Sequence, residues 1–213
     1  MLRYFTFQNK VIALFFAICV ILTFMNRKNH LTLAHELWRP QFKEGASFID
    51  TTAGNGHDAL FIAQEALTLP NTHLTCIDIQ EKALQATKKR LTEALPQSQL
   101  SKITYVHASH ETLPKTPTPP SLILYNLGYL PGADKSLTTT ASSTLNSLKQ
   151  ALRALAPGGL ISLTFYPGHD EGKREYTLIL PFLKKLSPQH FSLSAPFISE
   201  IEHAPKLYII RKI

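Results

Sequence analysis

The chain has 213 residues, 44% of them hydrophobic and 17% charged. That length suits one α/β domain with a short appendage, and that apolar content excludes wholesale disorder. The net charge of +7 is unevenly spread, because residues 1–28 hold Arg3, Lys10, Arg27 and Lys28 with no acid, which leaves 18 basic against 15 acidic residues elsewhere. Charge alone is therefore weak support for a nucleic-acid partner.

Residues 1–28 differ in composition from residues 29–213, which read as one domain. Val11 to Met25 is an almost unbroken apolar run of 15 residues. A spanning helix needs about 20 such residues, and a signal-peptide core roughly 7–15. No small-x-small cleavage site follows, and Asn26-Arg27-Lys28 stands where one would have to be. Three readings are open: a stretch upstream of a start at Met25, a short membrane anchor with a basic stop, or a targeting segment. Cys19 and Cys76 form no framework and suit a reducing compartment.

From Leu31 to Phe42 the spacing predicts a short helix with Leu33, Leu37 and Trp38 on one face. Lys43-Glu44-Gly45 is a turn, and Ala46 to Thr51 a small apolar strand ending in an acid. After a glycine loop, Asp58 to Leu69 is a helix with Leu60, Phe61, Ala63 and Leu67 as its buried stripe, stopped by Pro70-Asn71. The alternation continues with a strand at His73 to Asp78, a helix at Glu81 to Ala94 and a strand at Ile103 to Ala108. Pro114 to Pro120 is a surface connection, Ser121 to Tyr125 the fourth strand and Ala141 to Leu155 a helix. Pro157-Gly158-Gly159 turns the chain into the strand Leu160 to Tyr166. A helix from Gly172 to Leu186 follows, then strands near Phe191–Ile198 and Leu207–Ile210. Such alternation indicates βαβ units and a mostly parallel, doubly wound α/β sheet. The last two strands lack a full helix between them, so an antiparallel hairpin is expected at one edge.

In such a sheet, ligands bind beyond the carboxyl ends of the strands, near the switch in strand order. The residues there form a group. After strand one come Ala53, Gly54, Asn55, Gly56, His57 and Asp58, where glycines let a backbone approach a ligand closely. After strand two come Asp78, Ile79 and Gln80, with a carboxylate able to hold both hydroxyls of a ribose. Ser109 and His110 follow strand three, and Asn126 to Gly132 follow strand four. Gly54-x-Gly56-x-x-Ala59 with a later acid also fits a nicotinamide-binding fingerprint. Three features favour a methyl donor instead: Asp50 several residues ahead of the loop, the loop's length, and Asn126-x-x-Tyr129, which looks like the Asn/Asp-Pro-Pro-Tyr tetrapeptide of amino-group methylation. His35 and His73 read as ordinary surface or boundary histidines, and His107 as a core or edge residue. Lys173, Arg174, Lys184 and Lys185 read equally well as a solvated helix face.

From about His30 onward the chain resembles a bacterial family labelled rRNA methylases, whose characterised members are tRNA (5-aminomethyl-2-thiouridine) methyltransferases. The resemblance is carried by Ala34-His35-Glu36-Leu37, Asp50-x-Thr-Ala-Gly-Asn-Gly-His-Asp58, Asp78-Ile-Gln80, Ser109-His110-Glu111, Asn126-Leu-Gly-Tyr-Leu-Pro-Gly132, Asp134-Lys135-Ser136 and Tyr166-Pro-Gly-His169. The chain departs from the family at its apolar N-terminal segment and at Ile198 to Pro205, where the family tends to an Asn-rich loop.

The resemblance implies a Rossmann-like class I methyltransferase with a mostly parallel seven-stranded sheet and an antiparallel C-terminal edge. It implies S-adenosylmethionine as donor and the aminomethyl amine of a wobble uridine as acceptor. Ala53, Gly54, Asn55, Gly56, Asp58, Asp78, Gln80, Ser109 and His110 would hold the cofactor. Asn126 would orient the amine, Asp134 or His169 would take its proton, Tyr129 would stack on the base and Lys135 would contact phosphate. Lys173 and Arg174 are further phosphate candidates. The expected partners are the tRNA anticodon loop and a second copy of the chain, with a membrane only if residues 11–25 are an anchor. The expected location is cytoplasmic, with membrane association as the alternative. Competing readings are a methyltransferase of another RNA, a protein or a small-molecule amine, a membrane-tethered binding protein, and a nicotinamide-dependent oxidoreductase.

Overall fold

The computed structural model describes residues 29–128 and 139–213. The expectations for residues 1–28 and for Tyr129, Asp134 and Lys135 lie outside the described residues. No helix among the described residues is long and apolar enough to cross a membrane.

Helix α1 (His30–Trp38) starts where the Asn29 side chain accepts the Thr32 N–H at 2.8 Å, satisfying one of the unpaired donors of a first turn. The expected run to Phe42 stops short: Arg39–Gln41 tighten into a 3-10 turn around Pro40, which has no N–H to continue the helix. Then follow β1 (Ser47–Asp50), α2 (His57–Ala66), β2 (His73–Asp78), α3 (Glu81–Ala94), a single-turn α4 (Gln97–Leu100) and β3 (Ile103–His107). Beyond them lie β4 (Pro120–Leu127), α5 (Ala141–Ala154), β5 (Leu160–Phe165), α6 (Asp170–Lys184), β6 (Phe191–Ile198) and β7 (Lys206–Lys212).

The seven strands form one sheet in the order β3-β2-β1-β4-β5-β7-β6. β3 through β5 run parallel, whereas β7 is antiparallel to both β5 and β6. The expected seven-stranded sheet with an antiparallel edge is present, and β7 enters it between β5 and β6. Order reverses between β1 and β4, and this switch point is where a crevice opens in a doubly wound sheet.

All residues of β1 and of β5 are buried, as helices on both faces require. Successive residues serve opposite faces. Phe48 joins Trp38, Ile62 and Leu91 in one core, and Ile49 joins Leu148, Leu152 and Ile179 in the other. At about 25 cal/mol per Å² of apolar area, each such fully buried side chain contributes roughly 1.5–3 kcal/mol.

Two differences from the sequence reading bear on the site. The buried face of α2 is Ala59, Ile62, Ala63 and Ala66, one step round from the expected Leu60 and Phe61, which are only partly buried. Small alanines bring α2 close to the sheet and leave the Phe61 ring free to pack sideways. Strand β4 runs two residues beyond Tyr125, so Asn126 pairs with Thr164 and Leu127 with Phe165. Asn126 is therefore held in a strand, not carried on a loop.

Candidate active site

The loop between β1 and α2 is fixed mainly through its own backbone. Ala53 N–H donates to the Ile77 carbonyl at 2.9 Å, and Gly56 N–H to the Ala53 carbonyl at 2.8 Å. Gly54 N–H donates to Asp78 Oδ2 at 2.9 Å, while Gln80 N–H donates to Asp78 Oδ1 at 2.8 Å. One carboxylate at the end of β2 thus orders both its own turn and the neighbouring glycine loop. Helix α3 holds the loop from the other side: Thr87 Oγ1 donates to the Gly54 carbonyl at 2.9 Å, and Arg90 Nε to the Asn55 carbonyl at 2.6 Å.

Gly56 has φ +77°, and a Cβ there would sit 2.8 Å from Thr87 Cα. Both facts exclude a side chain. What the second glycine allows is close approach of the loop to α3, a packing requirement that spacing alone would assign to a ligand.

Beneath the loop, Asp50 is 1% exposed. Its Oδ1 accepts the Thr52 N–H, and its Oδ2 is buried without a hydrogen-bond partner. Burial, aided by the nearby Asp58 and Asp78 charges, pushes its carboxyl up to about 8. Three acids, from the ends of β1 and β2 and the first turn of α2, therefore lie near one another, which favours a cationic ligand.

The end of β4 is held differently, by side chains drawn from distant parts of the chain. Asn126 N–H donates to Thr52 Oγ1 at 2.8 Å, and its Nδ2 donates to Asp58 Oδ2 at 2.9 Å. The other oxygen of Asp58 lies 2.9 Å from His35 Nε2. The His35 ring stacks on Phe61, with centroids 3.8 Å apart and an 8° interplanar angle. His35 is a half-buried boundary residue, as expected, and it ties α1 to the site. His30 reaches Tyr166 Oη at 3.3 Å, and burial with the Asp58 charge pushes the Tyr166 phenol up to about 12.

A third group of residues lies under these two. His110 is buried, with Nε2 3.1 Å from Thr144 Oγ1. Thr144 spends its single hydroxyl proton on Glu175 Oε1 at 2.6 Å, so His110 must donate from Nε2 and keep its lone pair on Nδ1. Burial holds this imidazole down to about 4, opposed by the Glu111 charge, so it is neutral at physiological pH. Glu175 Oε2 accepts from Thr139 Oγ1, which accepts the Gly128 N–H at 3.0 Å. Glu175 has no exposed surface, and burial raises its carboxyl above the usual range while the two threonine hydroxyls oppose the rise.

The residues expected from sequence thus fall into distinct places. Ala53, Gly54, Asn55, Gly56, Asp78 and Gln80 form one ordered turn. Ser109 accepts the Glu111 N–H in a local turn, and His110 lies behind it in the buried network. Asp58 sits with Asn126, both oxygens engaged. His169 caps α6, its Nδ1 accepting the Gly172 N–H at 3.1 Å. That commits the only lone pair of a neutral imidazole and places its proton on Nε2, so in this arrangement the ring cannot take a proton from an amine at Nε2. His107 is exposed on edge strand β3, against the Ile79 carbonyl. Thr52, Thr87, Arg90 and Glu175 were not singled out from sequence; of these, only Thr52 lies within a motif quoted above.

Residues 74–211 match the family model described as "Putative rRNA methylase". The tRNA (mnm(5)s(2)U34)-methyltransferase, chloroplastic, of Arabidopsis thaliana is 33% identical over 163 residues, which cover 73% of this chain and 59% of that protein. The chain therefore spans about three fifths of that relative. A solved structure from Clostridium thermocellum, described as a "putative rRNA-methylase", superposes with TM-score 0.80 at 32% identity, covering 87% of this chain and 98% of that one. A Streptococcus mutans protein described as a "putative methyltransferase", solved in complex with SAH, gives TM-score 0.74 at 27% identity and covers 87% and 99% of the two chains.

Proposed function

The chain belongs to the family described as "Putative rRNA methylase" and is an S-adenosylmethionine-dependent methyltransferase; from that premise we propose that it methylates the aminomethyl amine of a modified wobble uridine in tRNA. The observation that carries this reading is the tie between Asn126 and Thr52. It sets the residue able to orient an amine directly against the cofactor loop. The Arabidopsis relative, a tRNA wobble-uridine methyltransferase by name, supports the same acceptor.

The residues fit the cofactor. The unpartnered, buried Asp50 Oδ2 and the nearby charge of Asp78 suit a ligand that carries a sulfonium and an ammonium. Each Asp78 oxygen accepts one backbone amide, leaving a second lone pair for a ribose hydroxyl. Ile79 beside it is 53% exposed and offers apolar surface to a planar base. When bound, S-adenosylmethionine supplies an electrophilic methyl group.

The protein's work is then alignment and proton management. Asn126, fixed in β4, holds the amine nitrogen in line with that methyl group. An ammonium has no lone pair, so one proton must leave before transfer. With the His169 lone pair committed to the α6 cap, proton acceptance falls to Asp134, directly or through water. Tyr129 would fence the splayed base, and Lys135 and Arg174 would contact phosphates of the anticodon loop.

Mass spectrometry of tRNA nucleosides from a deletion strain tests the proposal. The unmethylated aminomethyl nucleoside should accumulate, and an unchanged profile would sink it. In vitro, Asn126→Ala should lower kcat about 100-fold while sparing cofactor binding. Lost cofactor binding in that variant would refute the role given to Asn126.

A further inference from the structure

An orienting carboxamide can present either its oxygen or its NH2 group, and the two have opposite consequences for an amine. We infer that Asp58, clamped by His35, fixes Asn126 with its carbonyl oxygen toward the acceptor, so that Asp58 is a positioning residue of methyl transfer to an amine that donates an N–H. This rests on the amine acceptor proposed above.

An ionised carboxylate only accepts hydrogen bonds. Asp58 Oδ2 lies 2.9 Å from the Asn126 carboxamide, so only the NH2 group can face it, and Oδ1 must point the other way. Asp58 itself cannot turn. Its Oδ1 is engaged by His35 Nε2 at 2.9 Å, and its side chain is only 12% exposed. His35 is clamped in turn by the Phe61 ring at 3.8 Å and by Trp38 at 4.9 Å. The Asn126 backbone is fixed through Thr52 and by strand pairing with Thr164.

The chemistry follows from which atom is presented. A neutral primary amine has two N–H groups and one lone pair. When an N–H is given to a carbonyl oxygen, the lone pair stays available for attack. The same oxygen dipole stabilises the positive charge that grows on nitrogen as the new C–N bond forms. An NH2 group in that place would bind the lone pair itself and block the reaction. Sequence places Asp58 among the cofactor residues, whereas the geometry points to the acceptor side.

The test uses the full chain, tRNA carrying the aminomethyl nucleoside, and SAH as the binding probe. In Asp58→Asn the new carboxamide can donate to Asn126 Oδ1 and so turn the NH2 group toward the substrate. Its kcat should fall about 100-fold, while SAH affinity by calorimetry should change less than about threefold. The exchange Asp58→Asn with Asn126→Asp restores an acceptor oxygen on the substrate side and should recover at least about tenfold of the lost kcat. Unchanged kcat in the single variant, no recovery in the exchange, or a loss of SAH affinity matching the loss of kcat would each overturn the inference. A readout without substrate separates it from the proposed function. The side-chain amide of Asn126 in a 15N-labelled sample should shift on Asp58→Asn, and an unresponsive amide overturns the inference. If that shift appears but wild-type enzyme leaves the tRNA unmethylated, the proposed acceptor fails and the orientation of Asn126 stands.

Discussion

The two sides of the site are built on different principles. The loop after β1, which we propose holds the cofactor, is held by backbone amides and carbonyls, with Asp78, Thr87 and Arg90 as its outside supports. The end of β4, the proposed acceptor side, is held by side chains, through His35 of α1, Asp58 of α2 and Thr52 of the loop. A backbone-built loop tolerates many side chains as long as its turns are kept. A side-chain-built site fails when one partner changes chemistry, even if shape is preserved. The cofactor is common to many reactions and the acceptor particular to one, so the division matches what each side has to recognise.

The largest effect should come from breaking the cofactor side alone. Asp78→Ala removes two hydrogen bonds to a charged group, each contributing about 1.5–3 kcal/mol. SAH affinity by calorimetry should fall at least about 100-fold, while the Asn126 side-chain amide keeps its wild-type chemical shift. A coincident change at Asn126 would show that the two sides are not independent.

Glu175→Ala should come next, because it strikes a buried network that reaches Gly128 and His110. It strands Thr139 and Thr144 and releases the links to Gly128 and His110. Chemical denaturation should report a loss of about 3 kcal/mol. Wild-type stability would mean that water or repacking replaces the carboxylate without cost.

The smallest effect is a pH dependence peculiar to the cofactor side. Asp50, raised to about 8, carries a proton at neutral pH in the free protein. A cationic ligand favours its ionised form, so binding expels that proton below pH 8. Affinity for S-adenosylmethionine should therefore rise with pH by at most about tenfold per unit and level off near 8. The rise should be weaker for SAH, which lacks the sulfonium charge. Calorimetry in buffers of different ionisation enthalpy reads the proton directly, and a flat profile would place Asp50 outside the reach of the ligand.

What could be read from sequence follows the same division. Alternating apolar runs and turn residues locate β1, β2 and β6 closely, and the glycine loop with Asp78 is visible because its turns depend on local spacing. On α2 the expected stripe holds at Ala63 and Leu67 and fails at Leu60 and Phe61, because the sheet face is lined by the small Ala59, Ala63 and Ala66. The polarity of Asn126 hides the true end of β4 in the sequence, although its strand pairing with Thr164 is intact. His35 and Glu175 could not be recognised from spacing. Their partners lie 23 and at least 31 residues away in sequence, and only the tertiary fold makes them part of a site.

The position of β7 has a consequence for how the molecule assembles. It is the last of the described strands in sequence yet an interior strand of the sheet, with β6 outside it. Until residues 206–212 are in place, β5 presents an open edge and β6 has no partner. The β6–β7 hairpin is local in sequence, so it can form by itself and then close on β5 as a second step. Once it has closed, the outer rim is β6, where Pro196 lacks an N–H and the ladder slips between Ser194 and Phe197. An edge interrupted in this way is a poor template for a neighbouring chain, so the rim left after closure resists wrong pairing.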